Sequence, residues 1–250
     1  MPRLSAEAPG LQLFRPPYDS CTPIDPGTAP APFEPGVAAV WFMSPDRDVL
    51  AELQWAAIRP RSVPLIVVLP EPEEAAAMLD ALRAVPSLKP KDVLPGVGRG
   101  MMRALRTLLA APPATLHTAA ADYLEDIGAI TPESRERVET IFANAPNTSS
   151  IEALARHLCQ SRRTLGRYFH DRDLPVPSHW LQFARSLHVA IQLQNTRQNI
   201  GRVAARFGYP DGFTMSNAMK RLTGFRPSFV RKHLGWEWLV EAWWRRERGS

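Results

Sequence analysis

The chain has 250 residues, 45% of them hydrophobic and 22% charged, with a formal net charge of +5. That is room for one large domain or two ordinary ones and too apolar for general disorder, while no apolar run approaches the ~20 residues that span a bilayer. Two cysteines, Cys21 and Cys159, exclude a disulfide framework and a cysteine-rich zinc site and suit a reducing cytoplasm, and residues 1–10 lack the basic start and apolar stretch of a secretory signal.

Split along the chain, the charge says more. Residues 1–130 hold 11 Lys+Arg and 15 Asp+Glu, net −4; residues 131–250 hold 19 and 10, net +9. A mildly acidic front half and a basic back half point to two units with different partners, the second facing a polyanion. Of those 19 cations only Lys220 and Lys232 are lysines. Arginine suits bidentate, planar contacts to phosphates and base edges.

Residues 1–36 contain nine prolines and no hydrophobic period, so they are predicted as an extended arm whose Leu11, Leu13, Phe14 and Tyr18 offer apolar anchors. Val37–Met43 and Val63–Leu69 have the pattern of buried strands, with a short third at Val93-Leu94. Between and after them, Asp46–Ile58, Glu73–Val85 and Met101–Ala110 are predicted helices. This alternation implies parallel strands with crossover helices, a small α/β layer over residues 37–130. Thr115–Asp126 and Pro132–Asn144 are also helical, the latter opened by Thr131 as N-cap and Pro132 at N1. Residues 131–148 then form a linker helix and loop.

From residue 149 to 234 everything is predicted helical. Ser149-x-x-Glu152 has capping-box spacing ahead of Ile151, Leu154 and Leu158. Ser161 opens a short helix with Leu165 and Phe169 inward, and Ser178 starts a long helix through Trp180, Phe183, Leu187 and Leu193. Ile200, Val203, Ala204 and Phe207 form another short helix ended by Gly208. Asp211 caps the next, which Gly224 closes, and Pro227 begins a last one. Ile151–Phe169 and Ile200–Lys220 thus repeat one design: a short helix, a tight turn, and a helix opened by a small polar residue. Ala155 and Ala204 stand where two crossing helices must approach closely, which is helix-turn-helix packing.

The pattern from Ile151 to Arg231 resembles the DNA-binding domain of the AraC/XylS family of bacterial transcription regulators. The resemblance is carried by Ser161-Arg-Arg-Thr-Leu-Gly-Arg-Tyr-Phe169, by Trp180 and Arg185, and by Ile200-x-x-Val-Ala-x-x-Phe-Gly-Tyr209. Met219-Lys220-Arg221 and Gly224-Phe-Arg-Pro227 complete it, over about 80 of the 250 residues. Met215, Met219 and Tyr209 replace phenylalanines usual in the family. The resemblance implies an all-α C-terminal domain with two helix-turn-helix units joined by the long helix and reading successive major grooves of double-stranded DNA. On the first unit Arg162, Arg163 and Arg167 are the candidate base readers, since arginine on guanine is the commonest specific contact. On the second they are Gly212, Phe213, Ser216 and Asn217, with asparagine suited to adenine and phenylalanine to a thymine methyl. Ser161, Arg202, Arg206, Thr214, Lys220, Arg221 and Arg226 are the candidate phosphate contacts, which position without specifying.

The front half lacks the many short strands of a sugar-binding cupin barrel and looks like a small, degenerate response-regulator receiver, a regulatory or dimerisation domain. Asp46, Asp48 and Glu71 lie where a receiver's acidic cluster would, although acids in a first helical turn are commonly caps. Gly96-x-Gly98-x-Gly100, near Arg99 and Arg103, lacks the Lys-Ser/Thr ending of a phosphate loop and reads as a plain loop. No catalytic, cofactor or metal residues are expected, so the chain is read as no enzyme. Expected partners are DNA, a second copy of the chain through the N-terminal domain, and RNA polymerase, with no membrane. Two other readings stay open: a nucleotide-dependent enzyme using the α/β half, and a scaffold with a decayed helix-turn-helix, suggested by Gly166, Gly212 and Phe213. Residues 235–250 form a Trp-rich C-terminal helix whose Trp236, Leu239, Val240, Trp243 and Trp244 share a face. That face either packs on the protein or meets another subunit.

Overall fold

Alternation in Gly10–Phe14 (β1) sends Leu11 and Leu13 to one face of a sheet and Gln12 and Phe14 to the other, and the five residues pair antiparallel with Ala38–Phe42 (β3). In this computed structural model, which describes residues 9–30, 33–96, 100–148 and 150–249, the proline-rich segment is therefore part of the sheet rather than a separate arm. Cys21–Pro23 (β2) adds to the outer side of β1, and Pro23 is tolerated there because an edge strand does not need its N–H in a ladder. The Tyr18 hydroxyl donates to the Gly36 carbonyl at 2.5 Å and its ring meets Phe14, closing the turn onto the start of β3.

Beyond β3 the pairing turns parallel. β3 pairs with Leu65–Val68 (β4), and β4 with Asp92–Leu94 (β5), giving a mixed five-stranded sheet of order β2-β1-β3-β4-β5. Every residue of β3 and β4 is buried, as expected of strands covered on both faces. Val49–Ile58 (α1) connects them, capped by Asp48, whose carboxylate accepts from the Ala51 N–H at 3.0 Å. The helix expected over residues 73–85 is broken into Pro72–Ala75 (α2) and Leu79–Ala84 (α3) by a turn of 3₁₀ helix. Met78 leaves helical geometry at the break (φ −116°, ψ 15°) and is buried there against the sheet core with Trp41, Trp55 and Val67. Met101–Ala110 (α4) follows; Val97, Gly98 and Arg99 of the glycine-rich loop lie outside the described residues.

The chain divides into residues 1–109 and 110–250. The second unit starts earlier than the sequence suggests, because Leu116–Asp126 (α5) packs on Pro132–Asn144 (α6) and on the C-terminal helix Glu237–Arg248 (α13). Tyr123 of α5 meets the Trp236 ring edge-on and donates its hydroxyl to Glu241 at 3.2 Å. The remaining elements are Ile151–His157 (α7), Arg162–His170 (α8), Pro177–Asn195 (α9), Ile200–Arg206 (α10), Gly212–Thr223 (α11) and Pro227–Val230 (α12). The long helix α9 is central, packing on α6, α7, α8, α10, α11, α12 and α13. Its Trp180 and Phe183 form an aromatic core with Phe142 of α6, Phe169 of α8 and Trp243 of α13, where Trp243 stacks on Phe183 at 4.3 Å. The Trp-rich helix thus buries its aromatic face within its own unit.

Candidate nucleic-acid interface

Two helix pairs, α7–α8 and α10–α11, share a local geometry that can be followed residue by residue. Each first helix is capped by a side-chain oxygen that accepts from the backbone N–H three residues on: Ser150 takes the Ala153 N–H at 3.2 Å, and Asn199 takes the Arg202 N–H at 2.7 Å. The cap of α7 is therefore Ser150; Ser149 lies outside the described residues. Ala155 and Ala204 are buried where the second helix crosses. Each first helix then ends on a left-handed residue, Cys159 (φ +53°) in one pair and Gly208 (φ +73°) in the other. The exit bonds match as well: Gln160 N–H to the Ala155 carbonyl at 2.9 Å, Tyr209 N–H to the Ala204 carbonyl at 3.0 Å.

The second helices start alike. Ser161 accepts from the Thr164 N–H at 3.0 Å and Asp211 from the Thr214 N–H at 2.6 Å. Counting from these caps puts Leu165 level with Met215 and Phe169 level with Met219, and all four are buried. The outward residues then align in order: Arg162 with Gly212, Arg163 with Phe213, Gly166 with Ser216, and Arg167 with Asn217. Hydrogen bonds from Thr214, backbone and side chain, hold the Asp211 carboxyl below its usual range. Glu152, in the first turn of α7, is likewise held low by its own N–H, by Ser150 and by Arg162.

Among the candidate base readers, Arg162 is exposed and ion-paired with Glu152 at 2.8 Å, so it is tethered across to α7. Arg163, Arg167, Phe213 and Asn217 are exposed, and Ser216 is half-buried. Among the described residues, the side chains of Arg163 and Arg167 have no hydrogen-bond or ion-pair partner. Gly212 is packed: a Cβ there would lie 3.1 Å from Ile200 Cγ2, which accounts for a glycine at this position.

The candidate phosphate contacts divide similarly. Arg202, Thr214, Lys220 and Arg226 are exposed on α10, α11 and the approach to α12. Ser161 already uses its side-chain oxygen as a cap. Arg206 donates to Gln192 at 3.4 Å, and Arg221 to Gln182 at 2.7 Å, both on α9. Arg221 also lines a cleft of about 320 Å³ with Ile151, Gln182, Arg185, Tyr209 and Ala218, between α7, α9 and α11. Arg185 holds the Thr148 carbonyl, fixing the approach to α7.

One residue that matters to this face was not singled out from the sequence. Tyr168 of α8 is sandwiched between the guanidinium groups of Arg137 and Arg172, at 3.9 and 3.8 Å from its ring centre. Its hydroxyl meets Ser134 at 3.0 Å and the Glu133 carbonyl at 3.2 Å, so it pins α8 to the start of α6. Its i,i+4 spacing to Arg172 was the available signal; the partner on α6 was not.

A family profile described as a helix-turn-helix domain matches residues 154–233. Residues 154–233 are an AraC-type helix-turn-helix domain. Over 98 residues, 39% of this chain, the sequence is 30% identical to the raffinose operon transcriptional regulatory protein RafR of Pediococcus pentosaceus. The chain spans only 35% of the length of that relative. A solved transcriptional regulator of Chromobacterium violaceum, with an AraC-type DNA-binding domain, is 26% identical and aligns with 42% of this chain and 93% of its own at a TM-score of 0.37. The transcriptional regulator CdpR of Pseudomonas aeruginosa is 19% identical and aligns with 68% of this chain and 55% of its own at a TM-score of 0.36. In the AraC-type domain here, α9 is the long central helix and α8 and α11 carry the outward sets described above. Among the described residues no group of three or more His, Cys, Asp or Glu side chains is arranged to hold a metal ion, so Asp46, Asp48 and Glu71 do not form such a group. Asp48 caps α1 instead.

Proposed function

We propose that this chain is a transcription regulator that binds specific double-stranded DNA, with α7–α8 and α10–α11 acting as two helix-turn-helix units joined by α9 and presented to successive major grooves. The observation that carries this reading is the matched register of α8 and α11. The same positions are buried in both, and the same positions point outward, within an AraC-type domain. The outward arginines of α8 suit guanine edges, and Arg202, Arg206, Lys220, Arg221 and Arg226 suit phosphates. The front unit is proposed as a receiver-like regulatory or dimerisation domain, on the strength of its two parallel strand–helix steps from β3 to β5. RNA polymerase is the further protein partner that a cytoplasmic regulator of this kind would meet, and no helix among the described residues is long and apolar enough to cross a membrane.

The test is selection of bound duplexes from a random library, followed by shift assays of the recovered sequence against random DNA at two salt concentrations. A recovered consensus bound well above random DNA, with affinity falling steeply as salt rises, is the expected result. Equal affinity for consensus and random DNA would overturn base-specific recognition.

A further inference from the structure

The two outward faces align position for position but not in chemistry. Where α8 carries Arg163 at the second helical position and Arg167 one turn on, α11 carries Phe213 and Asn217. Phe213 is 74% exposed, while Met215 and Met219 on the opposite side are buried. Its neighbour Gly212 is held against Ile200 and Gly201 of α10, which leaves Phe213 the first large side chain at the leading end of α11. The N-terminal residues of a recognition helix are the ones that meet base edges. A phenyl ring there has no hydrogen bond to offer; its complement in the major groove is the C5-methyl of thymine. Asn217 lies one turn behind on the same face, and a carboxamide matches the N6/N7 edge of adenine. Both side chains thus complement A·T pairs, whereas the guanidinium groups of Arg163 and Arg167 complement the guanine edge of G·C pairs.

Resting on the DNA-binding reading above, we infer that the two units read DNA by different chemistry. Unit α7–α8 recognises guanine through arginine, and unit α10–α11 recognises an A·T-containing segment through a Phe213–thymine methyl contact with Asn217 on a neighbouring adenine. The operator is therefore asymmetric, with a guanine-containing segment about one helical turn from a thymine-containing one.

The experiment uses the full chain and a duplex recovered by selection, with each thymine replaced singly by deoxyuridine, which removes the methyl and leaves the pairing edge unchanged. Wild-type affinity is expected to fall about fourfold at one or two thymines in the segment under α11, the worth of one buried methyl group. Phe213→Ala, at an exposed position that does not test folding, should bind the thymine duplex more weakly and no longer distinguish thymine from uracil there. Asn217→Ala should lose the preference for the adjacent A·T pair. Indifference of the wild type to uracil at every position overturns the inference, as does a Phe213→Ala variant that still discriminates at the same thymines. Loss of transcriptional output in that variant with DNA binding intact also overturns it, by marking Phe213 as a protein contact. A selection that returns no consensus at all overturns the DNA-binding reading and this inference with it.

Discussion

Arg163 and Arg167 are the side chains on which the proposed base readout by α8 rests, being one turn apart, exposed and with side chains unengaged among the described residues. Replacing either with alanine should cost ~1–3 kcal/mol of specific binding and much less of non-specific binding. Titrations on consensus and random duplexes check this, and equal losses on both would reassign these residues to the phosphates. Arg162 should matter less, because its ion pair with Glu152 must be broken or shared before it can meet DNA. A stability effect belongs at the turn. Cys159 holds the left-handed conformation that its counterpart Gly208 adopts without a Cβ. Cys159→Gly should therefore stabilise the folded chain by about 0.5–1 kcal/mol, the relief of left-handed strain less the added entropy of glycine in the unfolded chain. Gly208→Ala should destabilise it by about 1 kcal/mol, and urea unfolding of both variants distinguishes the signs.

At the scale of elements, α6 is part of the unit proposed to bind DNA and not a tether to it. Val138, Ile141 and Phe142 are each 0% exposed, and Phe142 packs edge-on against Trp180 and Phe183. Removing a single buried phenylalanine costs ~3–5 kcal/mol, a large share of a typical domain's ~5–15 kcal/mol. A fragment of residues 110–250 should unfold cooperatively and retain sequence-selective binding, whereas one of residues 146–250 should lose both. Thermal unfolding followed by circular dichroism is the measurement, and a cooperative transition at the same midpoint in the shorter fragment would refute the assignment. This boundary was not legible in the sequence. The amphipathic period of Thr115–Asp126 marks a helix, but its partners, α6 and the Trp-rich α13, lie elsewhere in the chain. The α8 face was legible, because Leu165 and Phe169 fix the inward side and leave the arginines no other direction.

At the scale of the whole molecule, drawing the boundary at residue 110 redistributes the charge. Residues 110–250 carry 19 Lys+Arg against 13 Asp+Glu, net +6, and residues 1–109 carry 11 against 12, net −1. The front unit is then close to neutral, and on the proposed DNA-binding reading the basic unit alone should supply the attraction to phosphates, with log affinity falling by ~0.9 per phosphate neutralised as log salt rises. Stability should also depend on pH through α9. His188 is half-buried, donates from Nε2 to the Phe142 carbonyl at 3.2 Å, and is held below its ordinary value of 6.5 chiefly by burial, with His117 adding to the effect. Below about pH 6.5 the unfolded chain takes up a proton that the folded chain refuses, so stability is full above that pH and falls as pH drops towards the lowered value. Glu133, Glu152 and Asp211, all held low, add losses of the same sign only at more acidic pH. Melting temperatures at pH 7.5 and 5.5 should therefore differ by more in the wild type than in His188→Gln, and an unchanged difference would exclude His188 as the source.

What the sequence determined by itself is local. Caps at Ser161 and Asp211, inward Leu165, Phe169, Met215 and Met219, and the apolar runs of β3 and β4 all depend on residues within a turn or a strand of one another. Tertiary structure decided what depends on distant partners. The proline-rich start becomes β1 and β2 because β3 presents an unpaired edge to it. Glu52, 1% exposed, is tolerated only because the Trp41 indole and Arg47 donate to it. The tryptophans of α13 are core because Phe183 and Trp180 lie beneath them. A hydrophobic period shows which face of an element is buried, but the surface that buries it is set by the rest of the fold.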